Sequence, residues 1–187
     1  MTQPPIRLCR ACVAALFLAS VYIVQSEETT PAKMEKLRLY IPIPEFENRV
    51  GTDVEPLTAY VKTLEKTAAA FLQKESRPQA KGLLIAVGIA GGRKAKVWCQ
   101  AVEGDCPRKL LAQLEDVLAQ VEPITLKRPP MAFGMEMSLW GKKPQKYPEF
   151  PDVWLEAAKK SSTKLLIPPD ELFKSIWPEA AHRTLRP

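Results

Sequence analysis

Residues 82–92, GLLIAVGIAGG, and the run that follows to Gly141 decide the fold: KAKVWCQAVEGDC (94–106), PRKLLAQLEDVLAQV (107–121) and MAFGMEMSLWG (131–141). Leu83 to Ile89 is apolar at every position, so the first piece reads as a strand covered on both faces. Gly91 and Gly92 fit a hairpin turn, with glycine supplying positive φ. Their spacing matches neither the dinucleotide nor the P-loop pattern. The second strand is expected over Ala95–Val102, with Val97, Cys99 and Ala101 on one face and Lys96, Trp98, Gln100 and Val102 on the other. Asp105 or Cys106 then caps a helix with Pro107 in its first turn. Leu110, Leu114, Val117, Leu118 and Val121 form its buried stripe. Pro123 stops it. A third strand, Met131–Trp140, alternates Met131, Phe133, Met135, Met137 and Leu139 against Ala132, Gly134, Glu136, Ser138 and Trp140. The first set predicts core.

Upstream, LRLYIPIP (37–44) alternates like a half-buried strand. Pro42 restricts it to a sheet edge or an extended arm. Glu45–Thr52 reads as a turn region. A helix follows, capped by Thr52 or Asp53, with Val54, Leu57, Val61, Leu64, Ala68 and Phe71 on one apolar stripe. Downstream, KKPQKYPEFPDVW (142–154) reads as an extended segment pinned by Tyr147, Phe150 and Trp154. Asp152 starts a short helix to about Lys160, and another is expected around Asp170–Ile176.

These elements predict an α+β fold: an antiparallel sheet of three or four strands, two main helices on one face, and an extended C-terminal tail. The expected division is a signal peptide or N-terminal anchor at 1–26, a polar leader at 27–36, an α+β domain at 37–141, and a Pro/aromatic-rich extension with short helices at 142–187.

Arg7 and Arg10 precede the uncharged run ACVAALFLASVYIV (11–24). At 1.5 Å per residue that run spans about 21 Å, short of a hydrocarbon core of about 30 Å. A cleaved secretory signal ending at Ser26 is the expected reading, with an uncleaved membrane anchor as the alternative. Export to the periplasm or outside follows. Without Arg7 and Arg10 the 27 basic residues become 25 against 21 acidic ones, a net charge of +4. The signs are interspersed, which argues against a nucleic-acid binder.

In an oxidising compartment Cys99 and Cys106 are expected to form a disulfide, worth roughly 2.5 kcal/mol for so short a loop. The only histidine is His182, the sixth residue from the end. Neither a histidine-based nucleophilic site nor a zinc site can be assembled from it, so no metal and no cofactor is expected. Trp98, Gln100, Glu136, Ser138 and Trp140 are expected on one outer sheet face. Aromatic and polar groups together there make a candidate binding face, unless the tail covers it.

The order strand-strand-helix-strand behind a hydrophobic N-terminus resembles the C-terminal domain of TonB-type energy transducers. The resemblance spans about 60 residues and rests on topology. The long Pro/Lys-rich spacer of that family is absent, and the hydrophobic N-terminal run is shorter. The function read from the sequence is therefore an exported, non-enzymatic module that binds another protein or an envelope component. The alternatives are a ligand-binding domain using the aromatic face and a carboxylate-based hydrolase centred on Glu136, for which no second strand carboxylate is visible.

Overall fold

The computed structural model describes residues 30–160, 173 and 175–177. The signal peptide or anchor expected at 1–26, the first three residues of the polar leader and His182 lie outside the described residues. So does much of the last expected helix, of which Phe173, Ser175 and Ile176 are helical. The elements are β1 (Ala32–Leu39), α1 (Ile43–Val50), α2 (Glu55–Leu72), β2 (Gly82–Ala90), β3 (Lys94–Val102), α3 (Arg108–Ala119), β4 (Met131–Leu139) and α4 (Asp152–Lys160). The four strands form one antiparallel sheet in the order β1-β4-β2-β3. The α+β class is as the sequence predicts.

β2 and β4 are the two inner strands, and every residue of both is buried. Their side chains divide by parity, as strand geometry requires. Leu83, Ile85, Val87 and Ile89 of β2 meet Met131, Phe133, Met135, Met137 and Leu139 of β4 in a core closed by α1, α2 and α3. Ala86, Ala90 and Ala132 face the other way, under Trp154 of α4 and Phe173, Ile176 and Trp177. The sheet is thus covered on both faces. Alanine and glycine on the outer face leave room for the aromatic side chains laid over it.

The N-terminal third departs from the sequence reading. β1 starts at Ala32, inside the stretch read as a leader, and ends before Pro42. Pro42, Pro44 and the expected turn belong instead to α1 and its cap. Alternation over 37–44 misleads, because it runs past the end of β1: Ile41 is buried in the bend that follows, while Ile43 opens α1 and is exposed. Proline is tolerated in a first helical turn, and Arg49 Nε donates to Glu45 Oε1 at 2.7 Å one turn away. Gly51, at φ 105, ends α1.

α2 keeps the predicted contacts of Leu57, Val61, Leu64 and Ala68, and adds Tyr60 and Leu72. Val54 is the N-cap residue and is exposed. Asp53 Oδ1 accepts from Glu55 N at 3.0 Å. α3 has Pro107, not Asp105 or Cys106, at its N-cap. The Asp105 carbonyl is used elsewhere, accepting from Gln79 N and Ala80 N. Leu110, Leu114 and Leu118 are buried there, while Val117 is exposed.

The predicted disulfide is absent: Cys99 and Cys106 are free thiols. Each is seated separately as a small apolar group against the helix-side core, which is ordinary behaviour for unpaired cysteine. Burial pushes both thiols up in pKa. For Cys99, Glu115 and then Cys106 add to the effect.

Candidate functional site

The outer sheet face splits into an aromatic end and a polar end. At the aromatic end, Trp98 meets Trp154 edge-on, with ring centroids 5.2 Å apart. Tyr40 stacks on Phe150 at 5.3 Å and touches Trp154 at 5.1 Å. Gln100 holds the first residue of α4 at both ends of its amide. Its Nε2 donates to Asp152 Oδ2, and its Oε1 accepts from Asp152 N, both at 2.8 Å. Trp98 is consequently buried, and neither Trp98 nor Gln100 is available as a binding surface. α4 and the Tyr40–Phe150 pair occupy that end.

Trp140 is not on this face at all. β4 ends at Leu139, and Trp140 (φ 45) and Gly141 (φ 73) turn the chain left-handed. The indole packs with the helix-side core, with the Arg77 guanidinium 5.7 Å above its ring. Extending strand parity one residue past the strand end produced the wrong face.

Glu136 and Ser138 remain, at the polar end. Glu136 borders a cleft of about 660 Å³ between β1 and the segment 143–149. Glu136 is 7% exposed, and its Oε1 accepts from Arg38 Nε at 3.1 Å and from Arg38 Nη2. The third guanidinium nitrogen, Nη1, donates to the Glu149 carbonyl at 3.1 Å. Arg38 thus joins β1, β4 and the far wall. Ser138 Oγ donates to Glu35 Oε1 at 2.9 Å.

Glu35 reaches this face because of a β-bulge. Register shifts between Met34 and Lys36, so Glu35 and Lys36 both line the cleft while Met34 and Leu37 pack against the core. A bulge re-aims side chains that strict alternation would separate. Lys143 Nζ pairs with Glu35 Oε2 at 2.6 Å. That contact, with Ser138 next, holds the Glu35 carboxyl below its usual range.

The wall is anchored from behind. Glu103 Oε1 accepts from Gln145 N, and from Lys146 N at 3.1 Å. Its Oε2 pairs with Lys81 Nζ at 3.1 Å. The Tyr147 hydroxyl is buried without a hydrogen-bond partner, and burial pushes its pKa up to about 12. Gly82 makes space for this wall. A Cβ there would lie 2.5 Å from Pro144 and 2.6 Å from the Met137 carbonyl.

The sequence pointed to Glu136 and Ser138. It missed Glu35, Lys36, Lys143, Lys146 and Tyr147. No periodic signal marks a bulge, and the 143–149 segment has no period at all. Among the described residues no cluster of three or more metal-ligating side chains exists, and no helix is long and apolar enough to cross a membrane.

The chain matches no protein-family model, no curated protein and no solved structure. The resemblance to TonB-type domains therefore rests on element order alone.

Proposed function

We propose that this is an exported, non-enzymatic binding protein that accepts an extended segment of a partner protein along β1, beside the polar cleft. The observation that carries this reading is the free edge of β1. Tyr40 N donates to Ala132 O and Trp140 N to Pro31 O, so with the β1–β4 register Arg38 and Lys36 also bond to β4. In an antiparallel ladder the intervening residues point their backbone groups away from the neighbour. Leu37 and Leu39 therefore present N–H and C=O outward, with no partner among the described residues. An edge of this kind is a template for strand addition, with side-chain pockets beside it supplying specificity.

Elsewhere on this edge Met34 N also points outward, but it donates to Glu65 Oε1 of α2 at 2.8 Å. The opposite edge is treated in the same way: Cys99 N of β3 donates to Glu115 Oε1 of α3 at 2.7 Å. Leu37 and Leu39 flank Arg38, which lines the cleft.

The site chemistry favours binding over hydrolysis. The Glu136 carboxylate is gripped by the Arg38 guanidinium through two nitrogens, which fixes its orientation and occupies it. Export is supported by the basic and then apolar N-terminal run.

A photo-crosslinking residue in place of Gln145, at the cleft, and another in place of Lys74, on the helix side, test the proposal. In envelope preparations Gln145 should yield a discrete protein adduct and Lys74 none. Equal labelling from both positions, or no adduct from Gln145, removes the reading.

A further inference from the structure

We propose that the cleft selects partner segments carrying acidic side chains at alternate positions, with apolar residues between them. This rests on the reading of β1 as a partner-binding edge and names the chemistry of the segment.

The acids near the cleft are largely engaged. Glu136 is held by Arg38, Glu35 by Lys143, and Glu103, behind the wall, by Lys81. Glu149 is the one cleft carboxylate with no cation among the described residues. Two ammonium groups are uncommitted. Lys36 and Lys146 both line the cleft and are exposed, and neither Nζ has a hydrogen-bond or ion-pair partner among the described residues. The surplus charge open to a ligand is positive.

Geometry then sets the spacing. On an added strand, side chains alternate between faces. Residues set beside Lys36 and Arg38 fall on the outer face, in the cleft. Residues set beside Leu37 and Leu39 fall on the helix side, where both leucines are partly buried against the core. Acidic residues suit the first set and apolar residues the second. Opposite charges on neighbouring strands attract and like charges repel. The preference should be salt-sensitive, because both lysines are exposed.

The test titrates the full chain with a short peptide alternating glutamate with valine, and with its lysine and serine counterparts, at low and high salt. The glutamate peptide should bind at least about tenfold more tightly than the lysine peptide at low salt. Lys36→Gln with Lys146→Gln should erase that preference, and Lys74→Gln, on the helix side, should leave it intact. Equal binding of all three peptides retains strand addition but overturns acidic selection. Preference for the lysine peptide, or a glutamate preference that survives the double substitution, also overturns it. Binding of none of the peptides overturns both this proposal and strand addition along β1. Inorganic phosphate displacing the glutamate peptide at equal concentration would assign the cleft to a small anion instead and overturn the peptide proposal.

Discussion

Gly134 shows how one absent side chain places another. It sits on the inner strand β4, facing outward, and a Cβ there would lie 2.5 Å from the Tyr40 hydroxyl and 3.0 Å from its ring. The Tyr40 ring lies over this gap and bridges the sheet to Phe150 and Trp154. Gly134→Ala should destabilise the protein by about 1–3 kcal/mol through overpacking, measured by denaturant unfolding. In a Tyr40→Ala background the same substitution should cost much less; equal cost in both backgrounds would show the contact to be irrelevant. Tyrosine burial has a second consequence. Burial raises Tyr40, Tyr60 and Tyr147 from 10.0 to about 12. The native state therefore favours the neutral phenol. That stability is fully present below pH 10 and is lost as pH rises from 10 through 12. Thermal midpoints should be insensitive to these groups up to about pH 9 and fall steeply above 10; a flat profile to pH 12 would contradict their burial. At this scale the sequence was informative about parity within the regular strands β2 and β4, where side chains alternate between the two faces. It was uninformative about Glu35, because a bulge inserts one residue without a composition signal. It was misleading about Trp140, whose positive φ lies just past the strand end.

Each edge strand has one outward amide taken by a helix glutamate, Met34 by Glu65 and Cys99 by Glu115. Edge amides left bare invite uncontrolled pairing, and carboxylates from packed helices remove that invitation. Glu115→Ala should cost about 1–2 kcal/mol by leaving the Cys99 amide without its acceptor, read from chemical denaturation. Glu115→Gln, which keeps an acceptor, should recover most of that loss. Burial raises the Glu115 pKa, with the Cys99 amide opposing. A raised carboxyl contributes stability below its unfolded value of 4.5 that is lost as pH rises through its folded value. The stability of the Gln variant relative to wild type should therefore rise from acid to neutral pH; a fall would mean the carboxylate is not desolvated. α4 acts as a lid on the aromatic end. Trp154 is 1% exposed, and Trp154→Ala should cost about 3–5 kcal/mol. It should also shift Trp98 emission to the red as that ring meets water. Unchanged emission would mean α4 is not what covers Trp98. Helices α2 and α3 were legible from apolar spacing and flanking prolines, and α4 from Asp152 as a helix start. α1 was not, because an eight-residue helix with two prolines near its start carries too few turns to show a period.

Across the whole molecule, the Arg38–Glu136 pair joins residues 98 apart in sequence. It ties the first strand to the last and fixes the floor of the cleft. Glu136→Gln should cost about 1–3 kcal/mol, since it weakens a charge-assisted contact at a nearly buried site. Replacing both partners with methionine should restore most of the loss, while abolishing crosslinking from Gln145. Stability lost without recovery in the double variant would mean that the pair contributes more than mutual neutralisation. The sequence by itself determined the fold class, the two inner strands, the helix-facing core and the fact that one sheet face would be mixed in character. Those follow from local periodicity, because burial selects side chains at periods of 2 and 3.6 along the chain. Only the tertiary structure decided that β1 pairs with β4, that α4 takes the aromatic end, that the thiols stay separate, and that the polar end remains open beside a free edge. Register, bulges and the docking of a tail depend on contacts between residues far apart in sequence, and such contacts leave no period to read.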